Sequence, residues 1–195
     1  MRQTTIVFLL LFVAVTAFSQ VAELGVSAGE SVLSNAKLVA ADATTGQPEV
    51  KLNNGFRLGF RVTLNPYRFF GHEVGYAYNR TNLNLGGTVY GMGTHQGFYD
   101  FLIYATPEGS RVRPFVAAGP QFSTFVPPGS SVTQGGGSMK FGVNYGFGAK
   151  AKVADKWLIR VDFRQYTSPK PDWFTVKPQG WLRINEISAG FAYTL

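Results

Sequence analysis

The chain has 195 residues, a formal net charge of +7, no cysteine, 45% apolar and 15% aromatic residues, and 23 glycines. Without cysteine there is no disulfide framework of the kind small secreted domains rely on. The basic residues are dispersed rather than gathered into a stripe, which excludes a nucleic-acid footprint. A mean hydropathy of +0.02 in a chain this rich in aromatics means that apolar and polar residues are interleaved rather than segregated.

In chain order, Met1-Arg2-Gln3 is a short basic start, Ile6 to Val15 is an apolar run, and Ala17-Phe18-Ser19 precedes Gln20. This pattern predicts a secretory signal peptide over 1–19, with small residues at the −3 and −1 positions of the cleavage site. A run of about ten apolar residues is too short for a spanning helix, which needs about 20. The remainder, 20–195, is expected to form one domain.

Eight strands are predicted there: roughly Ala22–Glu30, Gly55–Leu64, Phe69–Asn79, Gln96–Thr106, Val112–Phe125, Phe141–Val153, Trp157–Gln165 and Asn185–Leu195. Between Gly55 and Leu64, the side chains of Phe56, Leu58, Phe60, Val62 and Leu64 share one face; Arg57, Gly59, Arg61 and Thr63 share the other. The same wave returns from Phe141 to Val153. Period two denotes a strand with two chemically opposite faces. Segments of about ten residues with this alternation are the pattern of a strand crossing an outer membrane. A soluble β-sandwich can alternate too, so the context decides.

The connections supply that context. Long ones (31–54, 80–95, 126–140, 166–184) alternate with tight ones at Asn65–Arg68, Pro107–Arg111 and Ala154–Lys156. Short periplasmic turns and long outward loops are expected of an outer-membrane barrel, and an even strand count places both termini in the periplasm. Aromatics are expected to form two interfacial girdles. Tyr67, Phe69, Phe70, Tyr104, Trp157 and Tyr193 lie toward the short turns. Phe56, Tyr78, Phe98, Phe125, Phe141, Tyr166 and Trp181 lie toward the long loops. Pro114 and Pro120 fall inside the fifth strand, where a residue without N–H has no obvious place in a closed ladder.

An eight-stranded barrel has an interior just filled by side chains, and buried charges must be paired there. The polar faces therefore predict a lumen network of Glu23, Glu73, Asp100, Asp162 and Glu186 with Arg57, Arg61, Arg113, Lys150, Lys152, Arg160 and Arg164. A conducting path is the competing use of these residues. Catalysis is not expected. The two histidines, His72 and His95, have no serine and carboxylate in a triad arrangement, and without cysteine they make no metal-ligand cluster. No cofactor is expected. Lys37, Lys51, Arg80, Lys170 and Lys177, in or near the long connections, are read as solvated charge, with lipopolysaccharide phosphates as a second possibility.

The last segment, Ile187 to Leu195, alternates to its final residue. Gly190, Tyr193 and Leu195 look like the C-terminal signal that barrel precursors present to the outer-membrane assembly machinery, although Leu195 stands where such families usually end in Phe or Trp. Arg113-Pro114-Phe115-Val116-Ala117-Ala118-Gly119 and Arg160-Val161-Asp162-Phe163-Arg164 resemble recurring pieces of the same family. The whole chain after the signal resembles the small outer-membrane β-barrel domain family, with barrels of the OmpA and OmpX type. The resemblance implies an all-β, eight-stranded, up-and-down antiparallel transmembrane barrel. It implies a monomer in the cell outer membrane, surrounded by lipids including lipopolysaccharide, with a structural or surface-interaction role through four outward loops. A small-solute or ion channel is the alternative within the membrane. A secreted lipocalin-like barrel with its apolar face inward and a hydrophobic ligand is the alternative outside it.

Overall fold

The computed structural model describes residues 21–131, 136–172 and 178–195. The expected signal peptide and Lys177 lie outside the described residues.

Every element among the described residues is a strand: β1 (Val21–Ser34), β2 (Lys37–Val39), β3 (Val50–Asn65), β4 (Phe70–Leu85), β5 (Thr88–Tyr104), β6 (Val112–Val126), β7 (Ser138–Lys152), β8 (Trp157–Pro169) and β9 (Trp181–Thr194). From β3 to β9 each strand pairs antiparallel with the next, and β1 pairs with β9 on one side and β3 on the other. Those two β1 ladders close an eight-stranded barrel, and the short β2 merely flanks the start of β3. Leu195 N donates to Ala22 O at 2.9 Å, tying the end of the chain to its start. Closure gives every barrel strand a hydrogen-bonded partner on both sides and leaves no free edge, which is what allows a sheet to sit in hydrocarbon.

The period-two wave becomes a two-sided wall. On β3, Leu58 and Phe60 are exposed while Arg57, Arg61 and Thr63 are buried. On β7, Val143, Tyr145 and Phe147 face out, while Asn144 and Lys150 are buried inside. The barrel is inverted relative to a soluble protein, with large apolar side chains outside and charges within. That arrangement excludes the lipocalin-like alternative.

The strands run further than their sequence patterns suggest. The stretch from Arg80 to His95, expected as a long connection, is mostly strand: β4 and β5 continue to a tight turn at Gly86-Gly87, both at positive φ (58° and 97°). Asn84 Oδ1 accepts a hydrogen bond from Gly87 N at 2.8 Å. A Gly-Gly pair between alternating segments is a hairpin signal because both central residues need the left-handed region.

The two prolines are accommodated without a shift of register. The β5–β6 ladder pairs Phe98 with Gln121 and resumes at Phe101 with Ala118, omitting the positions opposite Gly119 and Pro120. The missing N–H of Pro120 therefore falls in a gap on the β5 side, while β7 still pairs with Gly119 and Pro120. Pro114 lies beyond the last β5–β6 pair, Tyr104 with Phe115, and its carbonyl accepts from Ala105 N at 2.9 Å.

The aromatic girdles are partly as expected. Trp157 and Tyr193 face outward near the short turns with ring centroids 5.2 Å apart, and Phe56, Phe141 and Trp181 are exposed toward the long connections. Tyr104, Phe98, Phe125 and Tyr166 are instead buried inside the barrel. Their position along the strand suits a girdle, but strand parity sends them inward.

Candidate functional site

Two layers of side chains fill the lumen. The lower one, through the middle of the barrel and down to the short turns, is charged. Of the twelve residues expected there, Glu23, Arg57, Arg61, Glu73, Asp100, Arg113, Lys150, Arg160, Asp162, Arg164 and Glu186 are buried. Lys152 is not. It has the inward parity of Lys150 but is the last residue of β7, so its side chain clears the rim, remains 45% exposed and approaches only Asp155, at 3.9 Å.

Glu73 is the hub. It accepts from Arg160 Nη1 at 2.5 Å, Arg164 Nη2 at 2.8 Å and Thr63 Oγ1 at 2.8 Å, with Arg61 Nη1 3.7 Å away. Asp162 lies 3.1 Å from both Arg61 Nη1 and Arg160 Nε and 3.3 Å from Arg164 Nε. Arg164 reaches further to Asp100, which also accepts from Asn144 Nδ2 at 2.7 Å. Four strands (β3, β4, β5, β8) are thus cross-linked by carboxylates shared between guanidinium groups. Toward the long connections, Arg57 pairs with Glu186. Toward the short turns, Lys150 Nζ is 2.5 Å from Glu23 Oε2 and donates to Tyr104 Oη at 2.9 Å, while Arg113 pairs with Glu108.

Charge in this layer balances. The eleven buried groups comprise five acids and six bases, and Glu108, on the turn below, supplies the sixth carboxylate. Taking a charge out of water costs several kcal/mol unless it is paired and hydrogen-bonded, so the pairing is a condition of folding here. Aromatic faces complete the cation environments: Arg113 Cζ lies 3.7 Å from the Tyr104 ring centroid and Arg160 Cζ 4.4 Å from that of Phe115.

Uncharged inward residues escaped the charge-based reading although they satisfy the same groups. Asn65 Nδ2 donates to Glu23 at 2.8 Å, Arg61 Nη2 donates to Ser27 Oγ at 3.0 Å, and Asn79 joins Ser31 and Gln96. Strand parity marks Ser27, Asn79 and Gln96 as inward, and Ser31 and Asn65 follow once β1 and β3 extend past their predicted ends. Glu108 gave no comparable signal, because it lies in a turn.

The upper layer is mainly apolar, with the inward hydroxyls of Thr81 and Thr94 among its side chains. Leu52, Leu83, Met92, Phe98, Phe125, Tyr166, Leu182 and Ile184 form one buried cluster with Ala36, Leu38 and Val39, which the first long connection folds inward. Ser31 and Asn79 stand at the boundary between the two layers.

Outside the barrel, His72 Nδ1 is 2.7 Å from Tyr99 Oη and His95 Nδ1 is 2.5 Å from Tyr76 Oη, each pair on the outer wall. No group of three or more His, Cys, Asp or Glu side chains is placed to hold a metal among the described residues. In the long connections, Asp172 accepts from Ser138 Oγ at 2.5 Å and lies 2.9 Å from Lys140 Nζ. These two contacts, the hydroxyl first, lower its carboxyl to about 2. Lys37 pairs with Glu49 at 2.6 Å, and Lys170 Nζ donates to Lys37 O at 2.6 Å.

A closed sheet with an apolar outer wall and a charge-lined, filled interior defines an integral membrane β-barrel. The chain belongs to the outer membrane protein beta-barrel domain family, whose profile matches residues 5–194. It is a protein of the outer membrane, so the short turns face the periplasm and the long connections the exterior. Among solved structures it is similar to Neisserial surface protein A (16% identity, 89% of this chain and 97% of that one, TM-score 0.62). It is also similar to the outer membrane protein OprG from Pseudomonas aeruginosa (14%, 90% and 95%, 0.57) and to the attachment invasion locus protein Ail of Yersinia pestis (13%, 91% and 99%, 0.51). At these identities the likeness is one of fold. No curated protein matches the chain.

Proposed function

We propose that this barrel is a non-conducting, non-catalytic anchor that holds its long connections at the cell surface for interaction there. On this reading residues 1–19 direct export, Gly190, Tyr193 and Leu195 present the last strand to the barrel assembly machinery, and lipopolysaccharide is the surrounding outer-leaflet lipid. The chain works as a monomer and needs no cofactor.

The observation that carries the reading is the double closure of the lumen. The charged layer is neutral and cross-linked, with Glu73 and Asp100 fully buried, so an ion entering would have to break several charge-assisted hydrogen bonds at once. Above it, the mainly apolar layer would replace the water around a permeant ion with little more than the hydroxyls of Thr81, Thr94 and Tyr166. Leu38, only 5% exposed, sits in that layer although it belongs to the connection after β1, so part of a surface loop serves as a plug.

Two measurements test this. In planar bilayers the refolded protein should give no discrete conductance steps; reproducible steps would favour the channel. Because the chain has no cysteine, a single introduced one reports its own location. Thr44→Cys, in the first long connection, should react with a membrane-impermeant maleimide on intact cells. Asp155→Cys, on a short turn, should react only after the outer membrane is permeabilised. The reverse pattern would overturn the orientation.

A further inference from the structure

Of the cations near the long connections, Lys37 and Lys170 are engaged within the protein, but the Arg80 side chain has no ion pair or hydrogen bond among the described residues. Arg80 is exposed on the outer wall, in phase with Phe70, Val74 and Tyr76 of the same strand. Phe70 belongs to the periplasmic aromatic level. Ten residues further, at about 3.3 Å per residue and a tilt of about 40°, the chain has climbed about 25 Å, the height of the apolar band of such barrels. Arg80 therefore stands where hydrocarbon gives way to the outer-leaflet headgroups.

Its guanidinium is held in a shaped notch. A Cβ at Gly91 would lie 2.4 Å from Arg80 Nη2, and one at Gly93 would lie 3.3 Å from Tyr78 Oη, so two glycines of β5 form the floor on which these side chains rest. The nearest acid of the same outward row is Glu30, two strands away through Phe56, and the guanidinium leans in the opposite direction, over β5. His95 borders the notch with Nδ1 bound by Tyr76 Oη, which leaves Nε2 for another partner. A cavity of about 410 Å³ opens between these residues and the start of the β6–β7 connection at Pro127 and Pro128.

A guanidinium at the headgroup level attracts the anionic groups there, and its planar fork is matched by the oxygens of a phosphate. Nothing in the wall supplies an anion. We propose that this notch binds a phosphate of lipid A, with Arg80 as the charge partner and Tyr78 and His95 as polar neighbours. The proposal rests on the outer-membrane placement and the orientation argued above, and it identifies the lipid partner of that reading at one site.

The test uses the mature protein refolded in detergent, with lipid binding followed by native mass spectrometry. Bisphosphorylated lipid A, its dephosphorylated form and phosphatidylglycerol are the probes. Arg80→Gln should weaken binding of bisphosphorylated lipid A by about tenfold or more, the loss of one charge-assisted pair, and Arg80→Lys by less. Gly91→Val keeps the charge but displaces the guanidinium, and should weaken binding similarly. Heat-modifiable gel mobility shows that each variant is folded. The proposal is overturned if Arg80→Gln binds as wild type does. Equal binding of dephosphorylated lipid A, or of phosphatidylglycerol, would overturn it equally. A conducting pore would strike the anchor reading and leave these affinity differences unaffected.

Discussion

Phe60 and Arg61 are neighbours in the chain and stand on opposite sides of the barrel wall. Phe60 is 49% exposed on the outside, and Arg61 is 3% exposed inside, 3.1 Å from Asp162. A peptide bond separates hydrocarbon from a charge network, because consecutive Cβ atoms of a strand point to opposite faces.

That relationship sets the sharpest stability contrast. Phe60→Arg places a charge in lipid and should cost about 2–4 kcal/mol near the midplane. Phe60→Leu should be nearly neutral, since lipid rewards apolarity rather than shape. Arg61→Leu should cost about 3 kcal/mol by unbalancing the buried network, and adding Asp162→Asn should restore part of that loss, as expected for directly interacting groups. Refolding titrations in lipid vesicles measure all four. A tolerated Phe60→Arg would contradict the outward placement.

Gly190 has a packing role that is independent of any assembly signal. A Cβ there would lie 2.0 Å from Val26 O on the neighbouring strand, a backbone atom that cannot step aside. Gly190→Ala should therefore destabilise the folded barrel by about 2 kcal/mol through overpacking. Unchanged unfolding in urea with lipid vesicles would show that β1 and β9 can separate without cost.

The end of the chain is tied down twice: Thr194 N donates to Lys156 O at 2.8 Å and Leu195 N to Ala22 O at 2.9 Å, beside the Trp157–Tyr193 ring pair. Deleting Tyr193 to Leu195 removes these contacts together with the proposed recognition residues. The truncated protein should accumulate in the periplasm, sensitive to protease. Normal insertion, read by fractionation and heat-modifiable mobility, would remove the assembly role.

Asp172 gives a pH signature outside the membrane. Its carboxyl is held at about 2, against an ordinary 3.8, by the Ser138 hydroxyl and by Lys140. A lowered folded value means that the contact contributes fully above pH 3.8 and is lost as pH falls through about 2. An NMR titration of the Asp172 carboxyl should have its midpoint near 2 in the wild type and move up in Ser138→Ala. An ordinary midpoint in both would show the contact to be absent in solution.

The sequence alone determined the class of fold, the order of the strands and the faces of most of them. Alternation such as Phe56 to Leu64 is a local property, fixed by the pleat and by the need to present one chemistry to lipid and another to the lumen. The same parity argument brought Glu73, Asp162 and Arg160 inward without any knowledge of their partners. Tertiary structure decided what depends on height and on distance through space. Lys152 shares the parity of Lys150, yet the barrel ends between them, and a rim position is a global coordinate. Tyr104 and Phe98 lie near strand ends but point inward, to serve as faces for Arg113 and Arg164. Leu38 enters the lumen from a connection with no periodicity to announce it. The choice of Arg160 and Arg164 as co-ligands of Glu73 was equally illegible, because β8 and β4 are not neighbours in the sheet and these side chains meet across the lumen only when β1 closes the barrel.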